Sequence, residues 1–241
     1  AASITTAKKN YISFHIEAGL RSKDYNAQEE INRRVVDHLS DVNFCTTKKS
    51  FDNLKKEGIK KNSYLVGNII FDNYYNLKDK INKSNVIKNL SLFKNNFVLV
   101  TIHRYQSINN RNNLKKICNL INNYSEKFPV VFSCHSRTKK NLKKFKLFKK
   151  INNKIKIINP LKYTDFTNLL INSKLIVTDS GGVHEEAFFH KKKCLVLRNE
   201  IEREEFIDSE NIIKINFTNY NKMFKKILNK KKRLSIDVKN W

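Results

Sequence analysis

Glycine is scarce in this sequence, and long apolar runs are absent from it. The chain has only 5 glycines among 241 residues, and two of them stand together at positions 181 and 182. No apolar run approaches the roughly 18 residues that a membrane-spanning helix needs, so we expect no membrane partner. With 40% hydrophobic and 11% aromatic residues, the composition is that of a globular protein and not of a disordered chain.

Cysteine is also rare, and its spacing argues against two common kinds of site. The 4 cysteines, Cys45, Cys118, Cys134 and Cys194, lie far apart and form no Cys-x-x-Cys pair. This spacing disfavours both a zinc site and a disulfide framework. We therefore expect reduced, mostly buried thiols, no metal, and a cytoplasmic protein.

Acidic residues are few: 22 Asp and Glu stand against 48 Lys and Arg, which gives a formal net charge of +26. Such an excess suggests a nucleic-acid ligand. Much of it lies in the segments 139–150 and 222–233, where apolar residues recur at the spacing of amphipathic surface helices. Because the whole chain is rich in Lys, Asn and Ile, we interpret the charge as a compositional bias and expect no specific nucleic-acid partner.

Short apolar runs alternate with amphipathic segments along the whole chain. This alternation is typical of parallel sheets with helices on both faces, the doubly wound α/β class. Ligands of such sheets bind outside the carboxyl ends of the strands. The predicted strands are 11–16, 42–45, 64–66, 97–102, 130–134, 154–158, 174–178, 194–197 and 212–215, and the predicted helices include 29–39, 48–57, 109–127, 163–172 and 182–191.

The chain is predicted to divide at residues 76–95, a polar linker region without a strand. Six predicted strands follow it and make a self-sufficient sheet over 96–233, with a tail at 234–241. Only three strands precede it, in 1–75, which is half of a Rossmann-like domain. We therefore expect two Rossmann-like domains, the first incomplete, in a chain truncated at its start.

The segment TDSGGVHEEAFF (178–189) follows an apolar strand and begins a helix. Backbone N–H groups and the helix dipole favour an anion at such a helix N-terminus. Ser180 can cap the helix or donate its hydroxyl to a phosphate, and Glu186, one turn into the helix, can accept hydrogen bonds from a ribose. An ordinary serine cap followed by a tight glycine turn explains the same residues equally well.

Two glutamates near one predicted strand form a second candidate site. Glu17 follows the strand 11–16, and Glu29 lies beside Glu30 in the first turn of the next helix. The helix dipole favours glutamate there in any protein. Paired carboxylates in one site, however, perform general acid and base catalysis, which makes Glu17 and Glu29 catalytic candidates.

Cations follow three further strands, and one aromatic residue begins a helix. The cations are His103, Arg104, His135, Arg137, Arg198 and Arg203. Residues of this kind can bind or protonate a diphosphate, and the ring of Phe166 can stack on a base. Together with the 178–189 segment, they point to a nucleotide-diphosphate ligand.

The order of the motifs resembles the non-hydrolysing UDP-N-acetylglucosamine 2-epimerases. The motifs are HIEAGLRS…EEINRRVVDH, VGNIIFD, VTIHR, NPLKYTDF, TDSGGVHEEA and LRNEIER, in unbroken order from about Ser13 to about Asn216. The resemblance implies a two-domain glycosyltransferase-B-type fold, a homodimer and no metal or redox cofactor. It also implies interconversion of UDP-N-acetylglucosamine and UDP-N-acetylmannosamine by elimination and re-addition of UDP.

The resemblance also implies roles for individual residues. Glu17, Glu29 and His103 would be catalytic, and the substrate-binding residues would be Arg104, Phe166, Ser180, Gly181, Gly182, Glu186 and Arg203. Within that set, Phe166 would bind the uracil, Glu186 the ribose, and 180–182 the phosphate. Because the first domain is expected to be incomplete, we expect this chain alone to bind UDP weakly and not to turn over.

Three alternative functions stay open on the sequence. The first is an epimerase or hydrolase for a related UDP-N-acetylhexosamine, which product analysis would identify. The second is a glycosyltransferase of the same fold, in which HIEAGLRS…EEINRR would not be expected. The third is a basic nucleic-acid-binding protein, which predicts salt-sensitive polyanion binding without preference for UDP.

Overall fold

The structure is a computed structural model, and it describes residues 1–22, 28–198 and 211–229 of the chain. These residues fall into two compact units. Unit 1 comprises the described residues up to 74, and unit 2 comprises 75–198 and 211–229. Within the described ranges, no helix is long and apolar enough to cross a membrane.

Unit 1 is built on a parallel three-stranded sheet in the spatial order β1-β2-β3. Its apolar core includes a buried cluster of Ala18, Cys45 and Leu54. A capping box between Thr47 and Ser50 fixes the start of its third helix. The elements are α1 (Ala2–Lys8), β1 (Phe14–Ala18), α2 (Gln28–Leu39), β2 (Val42–Cys45), α3 (Lys48–Lys56) and β3 (Ser63–Leu65), followed by α4 (Ile69–Asn82), whose residues are divided between the two units.

One face of the unit 1 sheet is apolar and exposed. Phe14, Ile16 and Tyr64 are each more than half exposed, and the ring of Phe14 stacks on that of Phe44 at 6.1 Å between centroids. Parallel sheets in proteins are covered on both faces. Helix α2 packs against β1, and α3 packs against all three strands.

Unit 2 contains a parallel six-stranded sheet in the order β6-β5-β4-β7-β8-β9. The strand order reverses between β4 and β7, which is the order of the doubly wound Rossmann fold. Its strands are β4 (Val98–Thr101), β5 (Val130–Ser133), β6 (Lys156–Ile158), β7 (Leu175–Thr178), β8 (Cys194–Leu197) and β9 (Ile212–Ile215). Every residue of β4, β5, β7 and β8 is buried, as expected for strands covered on both faces. The predicted fold class is confirmed.

The helices of unit 2 flank this sheet. They are α5 (Val86–Asn89), α6 (Tyr105–Ile108), α7 (Arg111–Ser125), α8 (Ser136–Lys144), a 3₁₀ turn (Phe148–Lys150), α9 (Tyr163–Asn172), α10 (Gly181–Phe189) and α11 (Tyr220–Asn229). Asn110 caps α7 by accepting hydrogen bonds from two backbone N–H groups of its first turn. The four cysteines are free and buried, which confirms the prediction of buried thiols.

The structure differs from the predicted elements in two places that bear on function. The first strand occupies 14–18 instead of 11–16, so Glu17 lies inside the strand and not after it. The predicted linker region 76–95 contains the end of α4 and all of α5, and it is grouped with unit 2. Asn168 on α9 donates to the carbonyl of Ile81 at 2.7 Å, so this polar stretch packs against α9.

Candidate functional site

The carboxyl ends of β4 and β7 meet where the strand order of unit 2 reverses. Asp179 follows β7 directly and is fully buried. Its carboxylate accepts the backbone N–H of His103 at 3.0 Å and that of Arg104 at 2.8 Å. These bonds tie the predicted His-Arg segment to the predicted phosphate segment, at the edge where doubly wound sheets bind ligands.

Ser180 begins helix α10 without capping it. The residue occupies the N-cap position with extended backbone, but its side chain makes no capping hydrogen bond. Its backbone N–H donates to the hydroxyl of Thr178 at 3.0 Å, and its carbonyl oxygen lies 3.1 Å from Nδ1 of His184. The ordinary serine cap is therefore not what the structure contains, and the hydroxyl is not used to close the helix end.

The adjacent glycines at the start of α10 are not required by the protein's own packing. Neither has a positive φ. A Cβ atom at Gly182 would meet nothing within 4 Å, and one at Gly181 would come no nearer than 3.6 Å to the guanidinium of Arg198. Glycine in a helix costs about 1 kcal/mol relative to alanine. A ligand that approaches the backbone closely is a physical reason to keep glycine there.

Arg198 adds a cation beside this helix end. It follows β8 directly and is only 6% exposed, and its guanidinium lies next to Gly181. Both Arg198 and Arg203 were predicted to lie in one loop after a strand, but only Arg203 was assigned to the predicted binding site. Arg203 lies outside the described residues, so its role stays a prediction.

Glu186 is buried on α10 and has one side-chain partner. Its side chain is 9% exposed, and the hydroxyl of Thr167 donates to Oε2 at 3.2 Å. Burial raises the pKa of Glu186 to about 7, although the bond from Thr167 acts in the opposite direction. Phe166, the predicted uracil-binding residue, precedes Thr167 on α9 and is half-buried.

Two histidines lie together at the ends of β4 and β5. The rings of His103 and His135 are 6.0 Å apart, and Nδ1 of His103 is 3.8 Å from Asp179. His135 caps α8, because its Nδ1 accepts the backbone N–H of Arg137 at 3.3 Å. An imidazole that accepts at Nδ1 carries its proton on Nε2 when neutral, so it can donate there to an anion.

Glu17 in unit 1 has a backbone conformation that is rare for its residue type. Its φ is +66°, and the register between β1 and β2 shifts across Glu17, since Ile16 pairs with Phe44 and Ala18 with Cys45. Glu17 is thus the extra residue of a β-bulge. Bulges re-aim side chains, and strained conformations of this kind cluster at functional sites.

A fully buried carboxylate, that of Asp37 on α2, holds both sides of this bulge. It accepts from the ring of His15 at 2.6 Å, from the backbone N–H of Gly19 at 3.2 Å, and from the guanidinium of Arg21 at 2.6 Å. Burial alone would lower the pKa of Arg21, but its hydrogen bonds to Glu57 and Asp37 outweigh burial and raise the pKa. The hydrogen bond that Arg21 donates to Glu57 also lowers the pKa of Glu57.

The two glutamates at the start of α2 differ in environment. The side chain of Glu29, the predicted catalytic residue, is 67% exposed and lies 3.6 Å from Arg33. Glu30 is fully buried and accepts from the backbone N–H of Ser22 and from Arg34. Glu30 therefore fixes the segment after β1, whereas the carboxylate of Glu29 is accessible to solvent.

Sequence reasoning missed three buried residues: Asp37, Thr167 and Asp179. For Asp37 there was a signal, because it lies seven residues after Glu30 and hence on the same helix face. Thr167 and Asp179 act across elements that are distant in sequence. Among the described residues, no group of three or more His, Cys, Asp or Glu side chains could hold a metal ion.

Comparison with known proteins gives a consistent result. Residues 1–238 match the family model described as UDP-N-acetylglucosamine 2-epimerase. The UDP-N-acetylglucosamine 2-epimerase of Methanocaldococcus jannaschii is 42% identical over 216 residues, which cover 86% of this chain and 59% of that protein. A homologue of this enzyme in Methanococcus maripaludis is 39% identical and is covered to 60%.

Solved structures agree with this match. The crystal structure of the M. jannaschii enzyme in complex with UDP-GlcNAc and UDP has a TM-score of 0.87 at 38% identity, covering 96% of this chain and 66% of that one. The structure of the enzyme from Rickettsia bellii has a TM-score of 0.82 at 30% identity, covering 95% and 62%. The chain spans about 60% of the length of the curated relatives it matches.

Proposed function

Since this chain belongs to the UDP-N-acetylglucosamine 2-epimerase family, we propose that unit 2 binds UDP. We propose further that the whole protein interconverts UDP-N-acetylglucosamine and UDP-N-acetylmannosamine. The observation that carries the proposal is the start of α10, where the serine at the N-cap position makes no side-chain capping hydrogen bond and precedes two glycines that packing does not require. A diphosphate accounts for all three features, because it accepts hydrogen bonds from the hydroxyl and from backbone N–H groups.

The proposed nucleotide site uses residues at the carboxyl edge of the unit 2 sheet. The diphosphate would lie against residues 180–182, with Arg198 beside it and His103 and Arg104 across the edge. Glu186 would accept from the ribose hydroxyls, and Phe166 would stack on the uracil. The resemblance also assigns Arg203 to this site.

The proposed chemistry needs a base, an acid and a stabilised leaving group. One carboxylate, of Glu17 or Glu29, removes the proton from C2 of the sugar. The electron pair of that C–H bond forms a C1=C2 double bond, and UDP leaves from C1 with the C–O bonding pair. His103 would hold or protonate the departing diphosphate. The other of these two carboxyl groups, in its protonated form, delivers a proton to the opposite face of C2 while UDP re-adds to C1, and exchange with solvent resets both groups.

A calorimetric titration of this chain with UDP at moderate salt tests the nucleotide site. We expect binding by the parent chain and a loss of about tenfold or more in Gly182→Ala, since a methyl group would occupy the space proposed for phosphate. Asn112→Ala is the matched control, because it changes the second residue of α7 as Gly182→Ala changes the second residue of α10. Unaltered UDP affinity in folded Gly182→Ala would contradict the proposal.

The sugar is decided by product analysis. We expect the whole protein to form UDP-N-acetylmannosamine from UDP-N-acetylglucosamine. A related substrate is the second candidate, because a UDP-2,3-diacetamido-2,3-dideoxy-D-glucuronate 2-epimerase of Pseudomonas aeruginosa is 32% identical to this chain. Release of free sugar instead would indicate a hydrolase. The homodimer and the cytoplasmic location also stay proposals, which sedimentation analysis and cell fractionation would test.

A further inference from the structure

Helix α9 contributes a buried hydroxyl to the proposed nucleotide site. Thr167 is fully buried, and its Oγ1 donates to Oε2 of Glu186 at 3.2 Å. We propose that Thr167 is a positioning residue for the nucleotide, which holds one oxygen of Glu186 so that the carboxylate can receive the ribose hydroxyls. The inference rests on the proposed UDP site.

One hydroxyl donor suits this task for a chemical reason. An ionised carboxylate has two oxygens and about four lone-pair positions, so a single donor orients the group without saturating it. Threonine is β-branched, and in a helix its χ1 angle is restricted to two main rotamers, so its hydroxyl has few directions open to it. A charge-assisted bond in a buried place is stronger than a neutral one. The remaining lone pairs can accept from the two hydroxyls of a ribose.

The helix that carries Thr167 is itself fixed on both sides of this residue. Asp165 accepts from the hydroxyl of Ser84 at 2.6 Å, and Asn168 donates to the carbonyl of Ile81 at 2.7 Å. Phe166 lies between these anchors. Phe166, proposed to stack on the base, is adjacent to Thr167 on this helix. The hydrogen bond from Thr167 to Glu186 therefore links the helix that carries Phe166 to the carboxylate proposed to bind the ribose.

The test compares UDP with its 2′,3′-dideoxyribose analogue by calorimetry at pH 8. We expect Thr167→Val to lose about tenfold in UDP affinity, as for one hydrogen bond to a charged group, and to bind the analogue as the parent does. Thr167→Ser should recover most of the loss. Ser173→Ala is the control, because it removes a buried hydroxyl bond from the end of the same helix and should leave both affinities unchanged.

The pH profile separates positioning from general damage. The preference of the parent for UDP over the analogue should rise as pH increases through about 7, because burial raises the pKa of Glu186 to about 7 and the ribose prefers the ionised form. The diphosphate ionises alike in both ligands, so its titration cancels in this ratio. Loss of the Thr167 hydroxyl, which lowers that pKa, should move the midpoint of the profile upward in Thr167→Val. Damage elsewhere in α9 that leaves the bond to Glu186 intact would leave the midpoint in place.

The outcomes distinguish this inference from the function on which it rests. If the parent binds UDP and Glu186→Gln loses the preference for UDP over the analogue, but Thr167→Val keeps both preference and pH midpoint, the inference alone is wrong. If Glu186→Gln keeps the preference, the ribose role of Glu186 is wrong. No binding of UDP by the folded parent would overturn the nucleotide site and this inference together.

Discussion

Asp37→Ala should destabilise unit 1 strongly. The change removes a carboxylate that is fully buried and that joins three groups flanking Glu17: the ring of His15, the backbone N–H of Gly19 and the guanidinium of Arg21. Glu17 is held in a left-handed conformation between those groups. Its geometry depends on anchors on either side, because an isolated glutamate would leave that conformation.

The magnitude follows from the partners that are left behind. Removal of one partner of a buried ion pair costs about 3–5 kcal/mol, because the other charge stays buried. Arg21 keeps its bonds to Glu57, which places the loss at the lower end, about 3 kcal/mol. The free energy of unfolding of a whole domain is about 5–15 kcal/mol. This loss should therefore be a large fraction of the stability of unit 1.

The assay is urea denaturation followed by far-ultraviolet circular dichroism, with hydrogen exchange resolved to the peptide that contains 14–22. We expect a lower midpoint and faster exchange in that peptide, whereas peptides of β4 and β7 should be unchanged. Asp52→Ala is the control, since it removes an exposed carboxylate paired with Lys48, and its midpoint should equal that of the parent. A loss below about 1 kcal/mol in Asp37→Ala, the net value of one ordinary hydrogen bond, would refute the reasoning.

Three further predictions concern backbone, titration and thiols. Gly19→Ala should lower the free energy of unfolding, measured in urea, by well over 2 kcal/mol, because φ is +79° and the new Cβ would lie 2.1 Å from the carbonyl oxygen of Ser50. Gly58→Ala is the control: φ is +85° there too, but the new Cβ would meet nothing within 4 Å, so the loss should be only about 1 kcal/mol. Burial raises the pKa of Glu186 from 4.5 to about 7, so the folded state binds this proton more tightly than the unfolded state does. The free energy of unfolding should therefore fall by about 3 kcal/mol in total as pH rises from about 4.5 through 7. Glu186→Gln should abolish this pH dependence, and an unchanged pH dependence in the variant would show that another group causes it. Burial raises the pKa of Cys45, Cys118 and Cys134 to about 11. A thiol reagent at pH 8 should therefore label none of these three cysteines in the folded protein and all of them in urea. Rapid labelling of the native protein would contradict their burial.

The α/β class could be predicted because it follows from local patterns. Strands β2, β8 and β9 have the predicted limits, as does α9, since each combines a distinct apolar period with polar boundaries. The start of β1 was predicted three residues early, because apolar residues already occur at positions 11 and 12 and the pattern cannot show that only the later part pairs with β2. Nor does any local pattern reveal the bulge at Glu17, which depends on the register with a neighbouring strand.

The order of strands and helices could be inferred from the sequence alone, as could the motif at 178–189 and the family to which the chain belongs. These properties reside in residue types at short spacings, which a single sequence displays directly. That Ser180 makes no side-chain cap and that packing does not require the adjacent glycines became visible in the tertiary structure alone, because a cap and a crowded turn are defined by distances to other atoms. It likewise revealed Asp37, Thr167 and Asp179, since each acts on a residue that lies 16 or more positions away in the chain and becomes its neighbour only when the sheet and its helices have packed.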